Sequence, residues 1–335
     1  MLPAIFGLAG ESPSADERAF FRDAEPAGFI LFDRNCRDKT QLRAITDELR
    51  VLTGRSDVPI LIDQEGGRVA RLSPPEWPEF PAPWRFAKLY RKAPVSAIEA
   101  ARVNAQAIAV TLADAGINVD CLPLLDVRHE RAHDVIGDRA LGDEPMQVAA
   151  LGRAVLDGLE AGGVCGVVKH MPGHGRARSD SHAELPVVEA SLDELAADLA
   201  PFAALSDAPM AMTAHILYHA WDAAHCATLS PTVIGGVIRG EIGFDGLLIS
   251  DDIGMAALSG APAERAQAAV AAGCDIALHC SGDLAEMAAI AGTLDAIGEP
   301  SARRLSRAME RVAGKTSPQT YEELAAKRDA LLTLS

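Results

Sequence analysis

Residues 145–170, PMQVAALGRAVLDGLEAGGVCGVVKH, contain the pattern that decides the fold of this chain. Apolar residues in 145–161 recur at the spacing of an amphipathic helix, two glycines follow, and 164–168 is a short Val-rich run. Short apolar runs of this kind are typical of parallel strands that are buried on both faces. The segment therefore predicts one helix followed by one buried strand, and the strand ends at the polar pair Lys169-His170.

The same alternation of short apolar runs and longer helical patterns extends along most of the chain. Helices are predicted at residues 40–52, 97–115, 145–161, 192–205, 231–240 and 262–272. Strands are predicted at residues 3–8, 27–32, 59–62, 117–125, 164–168, 210–214, 247–249 and 274–278. Because eight predicted strands alternate with helices, the pattern favours a closed (β/α)8 barrel of the α/β class, a TIM-type barrel, over a doubly wound sheet.

The C-terminal part of the chain departs from this alternation. Three further helical patterns follow the last predicted strand, at residues 283–297, 302–313 and 321–332. We expect these helices to pack against the outside of the barrel. Long loops are predicted at residues 73–90 and 128–144, and no low-complexity linker divides the chain, so residues 1–335 are expected to form a single domain.

The composition limits the classes of partner. Of 335 residues, 49% are apolar and 23% are charged, which is enough to build a sizeable core. The 47 acidic and 31 basic residues give a net charge of -16. The electric field of this charge repels nucleic acid and anionic membranes. The first residues do not resemble a signal peptide, no apolar run approaches the roughly 18 residues of a membrane span, and the six cysteines form no CxxC pair. We therefore expect a cytoplasmic monomer with reduced thiols, which binds neither nucleic acid nor membrane.

Polar side chains follow several predicted strands at the point where each strand ends. These residues are Asp63, Asp126, Lys169, His170, His215, Asp251 and Asp252. The C-terminal ends of barrel strands open onto one face, and that face carries the catalytic site in essentially every characterised barrel enzyme. Charged side chains are costly to bury without a function. The sequence therefore predicts a shared active site at this face.

The densest group of polar residues is KHMPGHGRARSDSH at 169–182, and it permits two chemistries. In one, His170, His174 and His182 converge on a zinc ion. In the other, Asp180 and His182 form a dyad, since side chains two residues apart in an extended loop project to the same side. The carboxylate then fixes the imidazole tautomer and favours the protonated ring, as a general acid requires. The residues alone leave both interpretations open.

Five motifs, taken together, resemble those of one known family. DQEGGRVAR (63–71) and IGDR (136–139) precede KHMPGHG (169–175), and DSH (180–182) and ISDDIGM (249–255) follow it. This set is similar to that of the β-N-acetylhexosaminidases of glycoside hydrolase family 3, and most similar to the cytoplasmic enzymes of peptidoglycan recycling. The resemblance covers most of the chain, although Met171 and Ala140-Leu141 differ from the residues usual in the family.

The resemblance implies a role for particular residues. Asp251 matches the nucleophile that forms a covalent glycosyl-enzyme, His182 matches the acid/base, and Asp180 matches its partner in the dyad. The residues that match the binding site for a terminal N-acetylglucosamine are Asp63, Arg71, Arg139, Lys169 and His170.

The resemblance also implies an activity. A retaining exo-β-N-acetylglucosaminidase would remove terminal β-linked N-acetylglucosamine from a muropeptide or disaccharide substrate, with no metal and no cofactor. One alternative is a phosphorylase that resolves the same covalent intermediate with phosphate. A metal-dependent barrel hydrolase and a non-catalytic sugar-binding barrel are the others.

Some polar residues near the predicted site also have purely structural interpretations. Asp252 can cap a helix that begins near Gly254, His174 can shape its Gly-rich loop through hydrogen bonds, and His215 can be a satisfied core histidine. The loop at 173–181 is rich in small residues, so we expect it to move and to carry the dyad into place when sugar binds.

Overall fold

Eight parallel strands close into a barrel, in the order in which they occur along the chain. The structure is a computed structural model that describes residues 1–130 and 132–334. Arg131, within the predicted loop 128–144, and Ser335 lie outside the described residues. The strands are β1 (Leu2–Gly7), β2 (Pro26–Leu31), β3 (Ile60–Ile62), β4 (Val119–Asp120), β5 (Cys165–Met171), β6 (Met210–Thr213), β7 (Leu247–Asp252) and β8 (Ile276–His279). Because β1 pairs with β8, the barrel is closed and the predicted (β/α)8 architecture is confirmed.

The fourth strand is shorter than the sequence predicts. The predicted strand at 117–125 forms a regular ladder only at Val119–Asp120, with a further bridge between Leu124 and Lys169. Pro123 has no N–H to donate, and it interrupts the ladder between these points. In contrast, β5 and β7 extend beyond their predicted ranges and include the polar residues that follow the apolar runs.

Helices surround the barrel. In the part of the chain that the structure describes, the α-helices are α1 (Ala15–Ala24), α2 (Lys39–Thr53), α3 (Trp84–Tyr90), α4 (Pro94–Asp114), α5 (Pro145–Ala161), α6 (Leu192–Ala204), α7 (Pro262–Ala272), α8 (Leu284–Ala291), α9 (Glu299–Glu310) and α10 (Tyr321–Leu332). The helix predicted at 231–240 is a π-type helix at Val233–Glu241. None of the helices described is long and apolar enough to cross a bilayer.

Two helices lie where none is predicted. At the start of α1, the Ser14 side chain accepts the Glu17 N–H while the Glu17 carboxylate accepts the Ser14 N–H, which is a capping box. The second, α3, lies inside the predicted loop 73–90. The helix predicted at 283–297 is shorter, because α8 ends before Gly292.

The core has an inner and an outer part. Alternate strand residues such as Ile5, Val119 and Met210 point into the barrel, and their neighbours pack against the helices. Three apolar residues of α9, Leu305, Ala308 and Met309, belong to the inner cluster. Since α9 also contacts Cys165 at the first position of β5, this helix covers the N-terminal end of the barrel. The predicted placement of the C-terminal helices outside the barrel is confirmed, and the C-terminal face of the strands stays open.

Candidate active site

One cavity at the C-terminal ends of the strands is lined by all eight residues to which the resemblance assigns a role, whereas Asp126 and His215, also predicted at this face, are fully buried and do not line it. Its volume is about 450 Å³. The predicted residues that line it are Asp63, Arg71, Arg139, Lys169, His170, Asp180, His182 and Asp251. Apolar side chains including Phe32, Met212 and Cys280 complete its wall. The strand-end pattern of the sequence therefore located the cavity.

The bottom of this cavity is a buried network of opposite charges, which we call the ion-paired floor (Asp63, Glu65, Arg139 and Lys169). Lys169 Nζ lies 2.8 Å from Asp63 Oδ1 and 2.7 Å from Glu65 Oε1. Arg139 binds Glu65 with two hydrogen bonds of 2.8 Å, from Nε to Oε2 and from Nη2 to Oε1. Each buried charge therefore has a partner of opposite sign, which offsets the cost of its burial.

Glu65 is a site residue that the sequence analysis missed. It lies between Asp63 and the turn Gly66-Gly67, whose φ angles of +92° and +59° favour glycine. This turn joins the short antiparallel strands Gln64–Gly66 and Val69–Ala70. Glu65 lies two residues after Asp63, and that spacing within DQEGG is the signal that could have indicated an inward direction.

The ion-paired floor fixes the charge state of Asp63. Burial alone would raise the pKa of this carboxyl, but Lys169 and Arg71 hold it well below its ordinary value. Arg71 Nη2 lies 3.3 Å from Asp63 Oδ2, and its guanidinium stacks 5.3 Å from the centre of the Phe32 ring. Asp63 is therefore an ionised acceptor at the floor of the cavity.

His170 is held by a carboxylate behind it. Its Nδ1 lies 2.8 Å from Asp126 Oδ2, and Asp126 Oδ1 accepts the backbone N–H groups of His170 and His174. Burial would raise the pKa of Asp126, but His170 lowers it, so the group is a carboxylate that can only accept. His170 therefore carries its proton on Nδ1 and presents Nε2 to the cavity as an acceptor when the ring is neutral.

Asp251 lies near the end of β7 with its carboxylate in the cavity. Its N–H donates to Thr213 Oγ1 at 3.3 Å, and its Oδ1 accepts the Asp252 N–H at 2.8 Å. Burial would raise the pKa of Asp251, but the His215 and His170 rings in their protonated forms, the Asp252 N–H and the Lys169 ammonium together lower it below its ordinary value. The group is therefore ionised at neutral pH, as a nucleophile requires.

The neighbouring Asp252 has a structural role. Its Oδ1 accepts the Gly254 N–H at 2.9 Å and the Cys280 N–H at 3.1 Å. These bonds hold a turn after β7. The interpretation of Asp252 as the cap of a helix near Gly254 is wrong, because a turn and no helix follows β7 at this position in the described chain.

Asp180 and His182 form the predicted pair. Asp180 Oδ1 lies 2.7 Å from His182 Nδ1 and accepts the His182 N–H at 2.9 Å. Burial would raise the pKa of Asp180, but the His182 N–H and ring lower it. Because the carboxylate accepts from Nδ1–H, Nε2 is the atom that can exchange a proton with a ligand. The His182 side chain is 68% exposed, so it lies at the rim of the cavity.

The loop that carries this pair has two different halves. The first half is buried and bonded: Gly173 O accepts the Tyr218 hydroxyl at 2.7 Å, and Arg176 pairs with buried Asp198. Gly175 packs so closely on Val127 that a Cβ would lie 1.8 Å from its carbonyl oxygen. The expected mobility of 173–181 therefore does not suit the first half. The exposed part begins at Arg178, and we call residues 178–184 the dyad loop.

The three histidines considered as zinc ligands have other partners. His170 binds Asp126, His182 binds Asp180, and His174 Nε2 lies 3.3 Å from Ser181 Oγ. Within residues 1–130 and 132–334, no group of three or more His, Cys, Asp or Glu side chains is arranged to hold a metal ion. His174 is buried and its N–H donates to Asp126, and burial lowers its pKa to about 4.

Taken together, the cavity combines an ionised carboxylate, an imidazole that can exchange a proton at Nε2, and the ion-paired floor. Ionised donors and acceptors at fixed positions suit a neutral ligand rich in hydroxyl groups. A carboxylate and a general acid in one cavity suit the cleavage of a glycosidic bond.

Comparison with known proteins agrees with this chemistry. The N-terminal domain of glycosyl hydrolase family 3 matches residues 5–314. A β-hexosaminidase of Chromobacterium violaceum is 36% identical over 332 residues, covering 98% of this chain and 91% of the relative. NagZ from Neisseria gonorrhoeae, in complex with N-trifluoroacetyl-D-glucosamine, has a similar structure, with a TM-score of 0.88, 31% identity and coverage of 99% of this chain and 97% of that one. Its complex with a zinc ion gives a TM-score of 0.84 and 30% identity, with coverage of 99% and 96%.

The family match includes all residues that line the cavity, from Ile30 to Cys280. The relative from Chromobacterium violaceum extends the similarity to nearly the full chain, and the TM-score extends it to the whole barrel. Motifs, fold and cavity therefore lead to the same assignment. The chain belongs to glycosyl hydrolase family 3, the family that its sequence motifs resemble.

Proposed function

We propose that this chain is a retaining exo-β-N-acetylglucosaminidase. The observation that carries the proposal is the presence of Asp251, the Asp180–His182 pair and the ion-paired floor around one cavity. Two relatives support the choice of sugar: one is a β-hexosaminidase, and NagZ from Neisseria gonorrhoeae binds N-trifluoroacetyl-D-glucosamine.

In the first step, the Asp251 carboxylate attacks the anomeric carbon of the terminal sugar. His182, protonated at Nε2, gives that proton to the glycosidic oxygen as the glycosidic bond breaks. Asp180 stabilises the imidazolium before the transfer and keeps the ring oriented. The products of this step are the released aglycone and a covalent ester between Asp251 and the sugar.

In the second step, neutral His182 acts as the base. It takes a proton at Nε2 from a water molecule, and the oxygen of that water attacks the anomeric carbon. The ester bond to Asp251 breaks and the carboxylate is regenerated. Because each step inverts the anomeric configuration, the product retains it.

The ion-paired floor suits a reaction at the terminal sugar of the substrate. Asp63 accepts hydrogen bonds from sugar hydroxyls, and Arg71 and Lys169 donate to them. Below these residues the barrel is filled by apolar side chains. The cavity therefore holds one terminal sugar, and the aglycone extends past exposed His182 toward solvent.

We assign this aglycone to a muropeptide fragment, and the enzyme to peptidoglycan recycling in the cytoplasm. The support is the similarity of its motifs to enzymes of that process. We propose further that the enzyme acts as a monomer and needs no cofactor.

The proposal is tested by hydrolysis of an aryl β-N-acetylglucosaminide beside the matching β-glucoside. We expect strong preference for the N-acetylated sugar, with release of free N-acetylglucosamine. Equal rates on both sugars would contradict the assigned specificity. A muropeptide carrying terminal N-acetylglucosamine should release the same sugar, and its resistance would remove the physiological assignment.

The same assay separates the remaining alternatives. With phosphate added, a phosphorylase would form the sugar 1-phosphate, and we expect hydrolysis instead. With a chelator added, a metal-dependent hydrolase would lose activity that zinc restores, and we expect the rate to stay constant.

A further inference from the structure

Three side chains behind Asp251 have no part in the proposed reaction. Thr213 ends β6, His215 lies two residues later, and Thr228 belongs to the 3-10 turn Ala227–Leu229. All three are fully buried, with 0% exposure. Buried polar groups that form a continuous network specify a single local arrangement, so their hydrogen bonds require an explanation.

These bonds form a chain that begins and ends on the backbone beside the nucleophile. The Asp251 N–H lies 3.3 Å from Thr213 Oγ1, which lies 2.7 Å from Thr228 Oγ1. Thr228 Oγ1 lies 2.7 Å from His215 Nδ1, and His215 Nε2 lies 2.9 Å from the Asp252 carbonyl oxygen.

The direction of each bond follows from proton counting. A carbonyl oxygen can only accept, so His215 Nε2 carries the proton that the Asp252 carbonyl receives. Burial lowers the pKa of His215, so the ring is neutral at neutral pH and Nδ1 is an acceptor. Nδ1 then needs the only proton of the Thr228 hydroxyl.

The remaining two bonds are fixed in turn. With its proton directed to His215, Thr228 Oγ1 accepts from the Thr213 hydroxyl, and Thr213 Oγ1 accepts the Asp251 N–H. The Ala214 carbonyl oxygen is 3.1 Å from Thr228 Oγ1 and competes over a longer distance. Every proton in the chain thus has one acceptor.

We propose that Thr213, Thr228 and His215 are positioning residues that hold the Asp251 carboxylate in line with the anomeric carbon. This series of hydrogen bonds holds the N–H of Asp251 and the carbonyl oxygen of Asp252, so it limits rotation of the backbone on both sides of the nucleophile. This inference rests on the proposed role of Asp251.

The test removes the Thr228 hydroxyl and keeps the shape of the side chain. Thr228→Val breaks the chain in the middle, and misplacement of a nucleophile by about 1 Å costs on the order of 10²-fold in rate. We expect kcat to fall by roughly 10- to 100-fold with a small change in KM. Thr228→Ser keeps the hydroxyl and should recover most of kcat. Thr46→Val is the matched control, since Thr46 is also fully buried and its hydroxyl donates to Ala115 O at 2.8 Å, far from the cavity.

Two further readouts separate positioning from a general loss of stability. The fall in kcat should be the same for aryl leaving groups of high and low acidity, because the nucleophile and not the acid is misplaced. The double variant Thr213→Val with Thr228→Val should lose no more kcat than the more damaging single variant, because both changes interrupt the same series of hydrogen bonds. Full additivity, or a Thr228→Val enzyme with wild-type kcat, would overturn the inference.

Nitrogen-15 NMR of the unmodified enzyme tests the chain if the valine variants do not fold. At neutral pH, the histidine signal that disappears in His215→Gln should be that of a neutral ring protonated at Nε2. A ring protonated at Nδ1 would overturn the inference. An unmodified enzyme that neither hydrolyses the aryl substrate nor forms an adduct at Asp251 would instead remove the proposed function.

Discussion

Lys169 is 2% exposed and lies between two carboxylates that precede it by more than a hundred residues, whereas His182 is 68% exposed and binds a carboxylate two residues away. Both line the same cavity. The ion-paired floor is thus fixed by contacts between residues far apart in the sequence, and the Asp180–His182 pair by contacts within the dyad loop. The difference suits their tasks, because the floor must recognise one sugar and the loop must let the aglycone enter and leave.

The largest effect is expected at Asp251, which both regions serve. Asp251→Ala should reduce turnover on the order of 10⁴-fold or more, because the covalent step has no other carboxylate in position. The fold should stay intact, as measured by circular dichroism and thermal unfolding. A 2-fluoro sugar with a good leaving group should label Asp251 of the unmodified enzyme, as measured by peptide mass. A label on Asp252 would show that the wrong member of the pair has been chosen.

The next effect isolates the dyad loop. His182→Ala should reduce kcat by roughly 10²- to 10⁴-fold on substrates with poor leaving groups and far less on activated aryl glycosides, which need little protonation. Its free energy of unfolding should not change, since the side chain is exposed. The matched control is His225→Ala, because His225 is 59% exposed and pairs with Asp222 outside the cavity. An unchanged dependence on the leaving group would end the assignment of His182.

The opposite result is expected from the ion-paired floor. Glu65→Gln leaves Lys169 and Arg139 with one buried charge too many, which typically costs about 3–5 kcal/mol of stability. Urea unfolding should show this loss, and KM should rise equally for all leaving groups. Glu99→Gln is the control, since Glu99 pairs with Arg102 and Lys327 at the surface and should cost less than about 1 kcal/mol. Equal losses in the two variants would mean that the floor is no more rigid than the surface.

The smallest effect concerns His174, whose N–H donates to Asp126 behind His170 and whose Nε2 lies 3.3 Å from Ser181 Oγ in the dyad loop. Its pKa is about 4 when folded and about 6.5 when unfolded, so only the unfolded state binds the proton between these values. Stability is therefore complete above about pH 6.5 and falls with decreasing pH, by about 2 kcal/mol at pH 5. Urea unfolding between about pH 7.5 and pH 5 measures this slope, and His174→Asn should reduce it by roughly one proton. The same slope in His174→Asn would assign the effect to other groups.

The barrel and the position of the eight predicted site residues around one cavity could be predicted from the sequence, because both follow from local rules. Strand C-termini share one face, so Asp63, Lys169 and Asp251 could be placed together before the structure was known. The inward direction of Glu65 depends on the Gly66-Gly67 turn, and the chain through Thr228 depends on contact between separate loops. The spacing of Glu65 from Asp63 is visible in the sequence, whereas the contacts of Thr228 leave no periodic signal there. The capping box of Ser14 and Glu17 was a local signal, and α1 could have been predicted from it.

The position of α9 has a consequence for how the protein is made. The inner core of the barrel includes residues of β1 and of α9, which leave the ribosome at the beginning and near the end of synthesis. Every residue of the cavity has been synthesised by Cys280, but the opposite end of the barrel is then still uncovered. A nascent chain that stops there carries the complete catalytic set together with exposed apolar side chains, a state in which chains aggregate or bind chaperones. We therefore expect that α9 must be synthesised before the barrel can complete its core and fold stably.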